Sequence, residues 1–446
     1  MAGFIDILRS GAWLTRERMR LVAIALLAAM VLGAVFLIAT SDGFNDRFGR
    51  PLGTDFSNVY AAGTYVLDGQ PTAPFDPAKQ FAREQAIFGQ ATQFYGWHYP
   101  PFFLGLAALL AAMPYWLALI VWQGVTLVLY LLSIHAILGN PSWPGLSRPS
   151  TPSFAAQQDV DARHKAGHDG RERGALDDHL WLLLTLSFPA VFLNLGQAHN
   201  GFLTAALIGA ALTQIDRRPI LSGILIGCLA YKPQFGLLIP LVLIASGRWR
   251  VFAAAAAAVA LLTLAVTAAF GVDVWTAFFV STKFTRVVVL EQGGTGWFKI
   301  QSVFAWVRMW DGGIALAYAA QGAVTLLIAA ALVWLWRSTA AFPVKASGLL
   351  IGSVLATPYS LDYDLMLLAP AIAYIATDGI ARGFGPWEKT ILAALWIVPL
   401  VARSVPQATL IPLAVPIMLL AFALLLRRAI VEAGISQAGD IFRRVP

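Results

Sequence analysis

Residues 21–40, LVAIALLAAMVLGAVFLIAT, form an unbroken apolar run of 20 residues behind Arg9, Arg16, Arg18 and Arg20. At 1.5 Å per residue a helix of that length covers about 30 Å, the thickness of a bilayer's hydrocarbon core. Every backbone N–H and C=O must be paired there within the segment, which leaves a helix as the form open to a single run. The run is longer than a signal-peptide core and no clear small-residue cleavage site follows it. It reads as an uncleaved first transmembrane helix with the N-terminus in the cytoplasm. The remainder repeats the pattern. Of 446 residues 58% are hydrophobic and only 12% charged, with a mean hydropathy of +0.70, far from the composition of a soluble domain. The expectation is an all-α polytopic membrane protein of one domain with roughly 10–13 transmembrane helices. The net charge of +7 lies in short basic clusters between apolar runs, where it orients the chain; nucleic acid is not an expected partner. Cys228 is the single cysteine and sits in an apolar run, so neither an internal disulfide nor a thiolate zinc site can form.

With Arg20 inside, the stretch 41–98 lies outside and Asp55 is extracytoplasmic. The other basic residues give an independent check. Arg427, Arg428, Arg443 and Arg444 follow the last apolar run, and Arg217, Arg218, Arg248, Arg250, Arg337, Lys345, Arg382 and Lys389 punctuate earlier ones. Placing all of them inside sends four polar stretches outside: GQAHN at 196–200, YKPQ at 231–234, the loop 271–313 and TPYSLDYD at 357–364. Between Tyr99 and Gly139 this parity requires an odd number of crossings, yet the apolar sequence breaks into two at Met113-Pro114. Its first half, about 14 residues or 21 Å, is too short to span. Either it is a re-entrant helix or the segment after Gly139 is outside. The runs 202–213, 220–230 and 236–245 are also short, which implies irregular backbone below the outer surface. Such backbone is tolerated only against protein or a watery cavity.

Residues 139–179, rich in Pro, Ser, Asp, Arg and His and without an apolar period, read as a disordered insertion. The wording PGLSRPSTP followed by DVDARHKAGHDG resembles the translated interspersed repeats inserted in some bacterial genes. His164 and His168 have helical spacing, but a metal site is not expected in such a segment, and its deletion is expected to be harmless.

Asp55 admits two readings. It is either a solvated carboxylate capping the helix FSNVYAAGTYVL, or a general base that takes a proton from an acceptor hydroxyl at the rim of the cavity. Its context is DFSNVYAAG at 55–63, LDG at 67–69, FDP at 75–77 and YPP at 99–101, followed in order by GQAHNGFLTAALIGAAL, GILIGCLAYKPQFGLLIPLVLIASGRWR and FKIQSVFAWVR. This ordered set resembles glycosyltransferase family 87, which includes polyprenol-phosphate-mannose-dependent mannosyltransferases of envelope glycolipids. The resemblance implies a GT-C fold in the bacterial inner membrane, with a catalytic first extracytoplasmic loop (41–98). It further implies a polyprenyl-phosphate-linked sugar, mannose by default, as donor, a lipid or glycan acceptor, and no cofactor or obligatory metal. Asp55 would then be the base of an inverting displacement at the anomeric carbon.

A departing phosphate needs cationic partners. Lys232 is the first candidate, since a lysine between apolar helices is costly and usually functional, although it can also snorkel to the interface. Lys283 and Arg286, with Lys299 and Arg308 in the same loop, are further candidates, or simply solvated. Tyr60, His98, Tyr99, Gln197, His199, Asn200, Gln234, Gln301 and Tyr359 are candidates for sugar or acceptor contacts. Asp362 and Asp364 stand where the mannosyltransferase pattern carries histidine, which leaves the donor sugar in doubt. A D-x-D pair suggests metal, but the topology places it outside, away from cytosolic nucleotide sugars. Hydrogen bonds to substrate hydroxyls, or pairing with Lys232 or Arg286, fit better. The competing functions are a transporter, which would show two similar broken-helix halves where no internal repeat is visible, and a polysaccharide-export component, which would not require Asp55 and Lys232 on one face.

Overall fold

The computed structural model of the chain describes residues 2–139 and 178–443; the bulk of the insertion, with His164 and His168, lies outside the described residues. Those residues form helices and short 3-10 turns, with only isolated bridges such as Ile300 with Leu361. The chain is an all-α, multi-pass membrane protein. Among the described residues, six helices are long and apolar enough to cross a bilayer: Arg16–Ala39, Tyr115–Leu138, Trp249–Phe270, Ile314–Arg337, Asp362–Arg382 and Ala414–Ala433. A pair bent by 52°, His179–Leu186 and Pro189–Gln197, makes a broken seventh, and five shorter apolar helices complete the set.

Length and burial divide these helices by role. In Arg16–Ala39, started by Thr15, whose side chain accepts from the Arg18 N–H, Ala23 and Met30 are buried while Leu21, Ile24 and Leu32 are exposed. That is the pattern of a helix facing lipid. Phe342–Leu355 is the reverse, buried along nearly its whole length, as expected of a helix apolar all round at the centre of a bundle. Small residues let the short helices approach closely. A Cβ on Gly223 would stand 2.6 Å from the Val251 carbonyl oxygen, and one on Gly227 2.5 Å from the Ala258 Cβ.

At the break at Met113-Pro114 the chain stays beside the first loop. Tyr115, which opens the helix Tyr115–Leu138, donates to the Leu52 carbonyl (2.5 Å), and Tyr60 donates to the Met113 carbonyl (2.9 Å). The Met113 end of the short helix Pro101–Ala111 therefore lies beside the 41–98 segment, and of these two helices only Tyr115–Leu138 is long enough to cross a bilayer. The short helix packs on Thr54–Leu67, the helix that carries Asp55, and a Cβ on Gly63 would lie 2.1 Å from the Ala107 carbonyl oxygen. Gly63→Val should therefore lower the thermal stability by about 1–3 kcal/mol. Gly105→Ala, at a site with open space around it, should be silent in the same melting experiment.

The basic clusters converge at one end of the bundle. Arg428 pairs with Asp378 (2.6 Å) and Glu388 (2.7 Å), and Arg382 with Glu432 (2.9 Å), while the Trp387 N–H donates to the Arg9 carbonyl (2.7 Å). The helix Glu388–Val401 starts in this cluster and has 14 residues. Its far end is thus about 21 Å away.

Candidate functional site

Beyond that far end the helices enclose a cavity of about 810 Å³. Asp55, all four polar stretches and Arg403 contribute to its wall. Leu37 of the first long helix, Phe192 and Phe278 give it an apolar flank.

Gly53, in the left-handed region (φ 70°), caps the helix Thr54–Leu67, and no side-chain bond caps that helix. Asp55 occupies the second helical position, half-buried at the cavity rather than capping. The Gln197 amide bridges it to Arg403: its NH2 donates to Asp55 Oδ2 (3.1 Å) and its oxygen accepts from Arg403 Nη2 (2.6 Å). Burial is the largest influence on the Asp55 carboxyl and pushes it up to about 7. Arg403, Lys232 and Lys299 oppose this, and Asp362 adds to it.

The wall beside Asp55 is built around a second buried carboxylate. Glu84 accepts from the backbone N–H groups of Tyr95 (3.0 Å) and Gly96 (3.1 Å) and from Gln80, which also donates to the Asn58 carbonyl (3.0 Å). These bonds fix the 95–99 segment to the Asp55 helix. Burial pushes the Glu84 carboxyl up to about 7 as well. Further along, His98 Nδ1 lies 2.8 Å from Thr285 Oγ1, and burial lowers its pKa to about 4, so the ring is neutral. Tyr99 meets His199 (Oη to Nε2, 3.2 Å), whose ring stacks on Tyr363 with 3.6 Å between centroids. Ala198 (φ 49°) turns the chain between Gln197 and His199, both of which line the cavity. Asn194 locks that turn, donating to the Tyr363 carbonyl (3.0 Å) and accepting from the Gly201 N–H (3.0 Å).

The D-x-D pair meets protein cations. Lys232 Nζ donates to Asp364 Oδ1 (2.5 Å), both side chains being buried, and the Leu361 N–H donates to Asp364 Oδ2 (3.0 Å). Asp362 is fully buried behind Arg403 and accepts from its Nε and Nη2. The expected pairing with Lys232 is thus made by Asp364. Arg286 instead faces Glu291 (3.6 Å). Among the described residues, no group of three or more His, Cys, Asp and Glu side chains is placed to hold a metal ion.

Of the residues singled out in the sequence, Asp55, Lys232, Arg286, Lys299, His98, Tyr99, Gln197, His199, Gln234, Tyr359 and Asp364 line the cavity. The others do not. Lys283 is exposed elsewhere, Tyr60 is engaged with Met113, and Asn200 is buried at the start of the next helix. Gln301 is fully buried, with its side chain donating to the Ala402 carbonyl (2.7 Å). Arg403, which is not among those candidates, is the lone charged residue between Lys389 and Arg427. The parity argument, applied to that interval, already requires an outward turn there.

The fold and this site define a multi-pass membrane protein with a polar, carboxylate-bearing cavity between its helices. The sequence model of glycosyltransferase family 87 matches residues 97–358, more than half of the chain, and the chain belongs to that family. It is a membrane glycosyltransferase. The match begins after Asp55 and ends before Arg403. Two error-prone DNA polymerases of Rhodopseudomonas palustris share a short stretch with the chain. That of strain BisA53 is 60% identical over 69 residues, covering 15% of this chain and 5% of the polymerase. That of strain ATCC BAA-98 / CGA009 is 50% identical over 50 residues, covering 11% and 4%. So small a share of either polymerase carries no activity across. No solved structure matches the chain.

Proposed function

We propose that the protein transfers a sugar, mannose by default, from a polyprenyl-phosphate donor to a lipid or glycan acceptor at the extracytoplasmic face of the inner membrane, with Asp55 as general base. The observation that carries this reading is the setting of Asp55: a half-buried carboxylate, raised to about 7 by burial, at a cavity also lined by cations and neutral hydrogen-bonding groups. A base is most effective when its pKa lies near the working pH. The apolar flank of Leu37, Phe192 and Phe278 suits a donor whose tail stays in the bilayer, and the neutral His98, His199 and Gln234 suit sugar hydroxyls.

The acceptor hydroxyl gives its proton to Asp55 while its oxygen attacks the anomeric carbon from the face opposite the phosphate. The bond to phosphate breaks, and the electron pair leaves with the phosphate. Asp55 accepts that proton only as a carboxylate. In nanodiscs, with a radiolabelled polyprenyl-phosphate sugar, kcat/KM should therefore rise with pH up to about 7 and level off above it. The limb should persist in Glu84→Gln, which removes the other carboxyl held near the same value. A profile flat from pH about 5 to 9 would contradict the base assignment.

A further inference from the structure

We propose that Lys299 and Arg403 together form the subsite for the donor's phosphate, a refinement that rests on the lipid-phosphate donor proposed above.

The cavity's cations are not equally available. Lys232 is consumed by Asp364 at 2.5 Å, Arg50 by Asp46 at 2.8 Å, and Arg286 is 61% exposed and faces Glu291 at 3.6 Å. Lys299 also lines the cavity, yet among the described residues no carboxylate lies within ion-pair distance of its ammonium. It is half-buried, and burial together with the charge of Arg403 lowers its pKa, against the smaller opposing influence of Asp362 and Asp55. An ammonium withdrawn from water next to a second cation is unfavourable until an anion joins it. Arg403 spends Nε and Nη2 on Asp362 and Gln197, which leaves its Nη1 donors without a protein acceptor among the described residues, and its side chain is 38% exposed at the cavity.

The two cations are held together by design of the backbone around them. Lys299 ends the turn Trp297–Lys299. Immediately after it, Ile300 bridges Leu361 and the Gln301 N–H donates to the Ser360 carbonyl (2.7 Å), while the Gln301 side chain donates to the carbonyl of Ala402, the neighbour of Arg403. Asp362, in the same strip as Ser360 and Leu361, anchors the guanidinium. Gln301 is thus the staple of this subsite rather than a sugar contact.

The chemistry fits a site that works hardest late in the reaction. The donor is a phosphodiester with one negative charge. When the anomeric C–O bond breaks, its electron pair stays on the phosphate, and the product monophosphate carries about −1.5 to −2 at neutral pH. Two cations therefore gain more from the departing phosphate than from the bound donor, which is the condition for lowering the barrier. Asp55 lies one amide, that of Gln197, from the guanidinium. Proton acceptor and phosphate cradle therefore face the same cavity.

The test is binding of a fluorescent polyprenyl monophosphate to the full chain in nanodiscs, against the matching neutral polyprenol. The wild-type protein should prefer the phosphate, and Lys299→Met should weaken that preference by about tenfold or more, as expected for loss of a charge-assisted contact. Lys299→Met orphans no partner and should fold normally. Arg403→Met with Asp362→Asn removes the second cation without leaving a buried carboxylate unpaired, and should weaken binding similarly, while Asp55→Asn, which removes a negative charge near both cations, should not weaken it. Wild-type preference undiminished in both altered subsites would overturn this assignment and leave the donor class standing. A wild-type protein that binds phosphate and alcohol alike would overturn the donor class itself, and this subsite with it.

Discussion

Asp55→Asn should lose sugar transfer by about two to four orders of magnitude, the usual contribution of a general base, while melting at the temperature of the wild-type protein. Asparagine keeps the shape of the side chain and retains an oxygen to accept from Gln197, so the bridge to Arg403 has no reason to break. No side-chain cap is lost, because Gly53 opens the helix and no side-chain bond caps it. What disappears is the capacity to hold a proton from the acceptor hydroxyl. Transfer measured in nanodiscs alongside thermal unfolding separates the two effects. Undiminished activity would remove Asp55 from the mechanism.

The second large effect belongs to stability. Lys232 and Asp364 are both buried, with side-chain exposures of 5% and 2%. Lys232→Met leaves an uncompensated carboxylate in the bundle and should cost about 3–5 kcal/mol. Adding Asp364→Asn to it should recover much of the loss, since a neutral amide still accepts from the Leu361 N–H. A double-mutant cycle read by thermal unfolding checks this. Single variants as stable as the wild-type protein would show that the pair is not coupled. Because the charge of Lys232 is already balanced, its removal acts on the cavity wall first and on the donor only through it.

Much of this arrangement is legible in the sequence, because bilayer physics is strict. Apolar length marks the long helices, and basic clusters set the parity that sends Asp55, GQAHN, YKPQ, 271–313 and TPYSLDYD to one side. Those stretches do line one cavity. What the sequence hides is direction. Gln301 and Gln197 are the same residue type in equally polar stretches, yet one is a buried staple and the other faces Asp55. Tyr60 lies five residues beyond Asp55, so that its hydroxyl falls on a different face of the helix and reaches Met113. The choice of partner is equally hidden, since Asp362 and Asp364 go to different cations contributed by distant segments. Arg403 was within reach of the parity rule, but a single arginine among apolar residues does not stand out until the turn that carries it is drawn.

On the function proposed, the sugar arrives on a lipid phosphate and leaves it with Asp55 taking the acceptor's proton. The most direct measurement supplies the reconstituted protein with radiolabelled sugar on a polyprenyl phosphate or on a nucleoside diphosphate, each with and without divalent cation, together with a membrane lipid extract as acceptor. The expected result is label moved to the acceptor from the polyprenyl phosphate alone, whether or not a divalent cation is present. Transfer from the nucleotide sugar, dependent on added cation, would contradict the account.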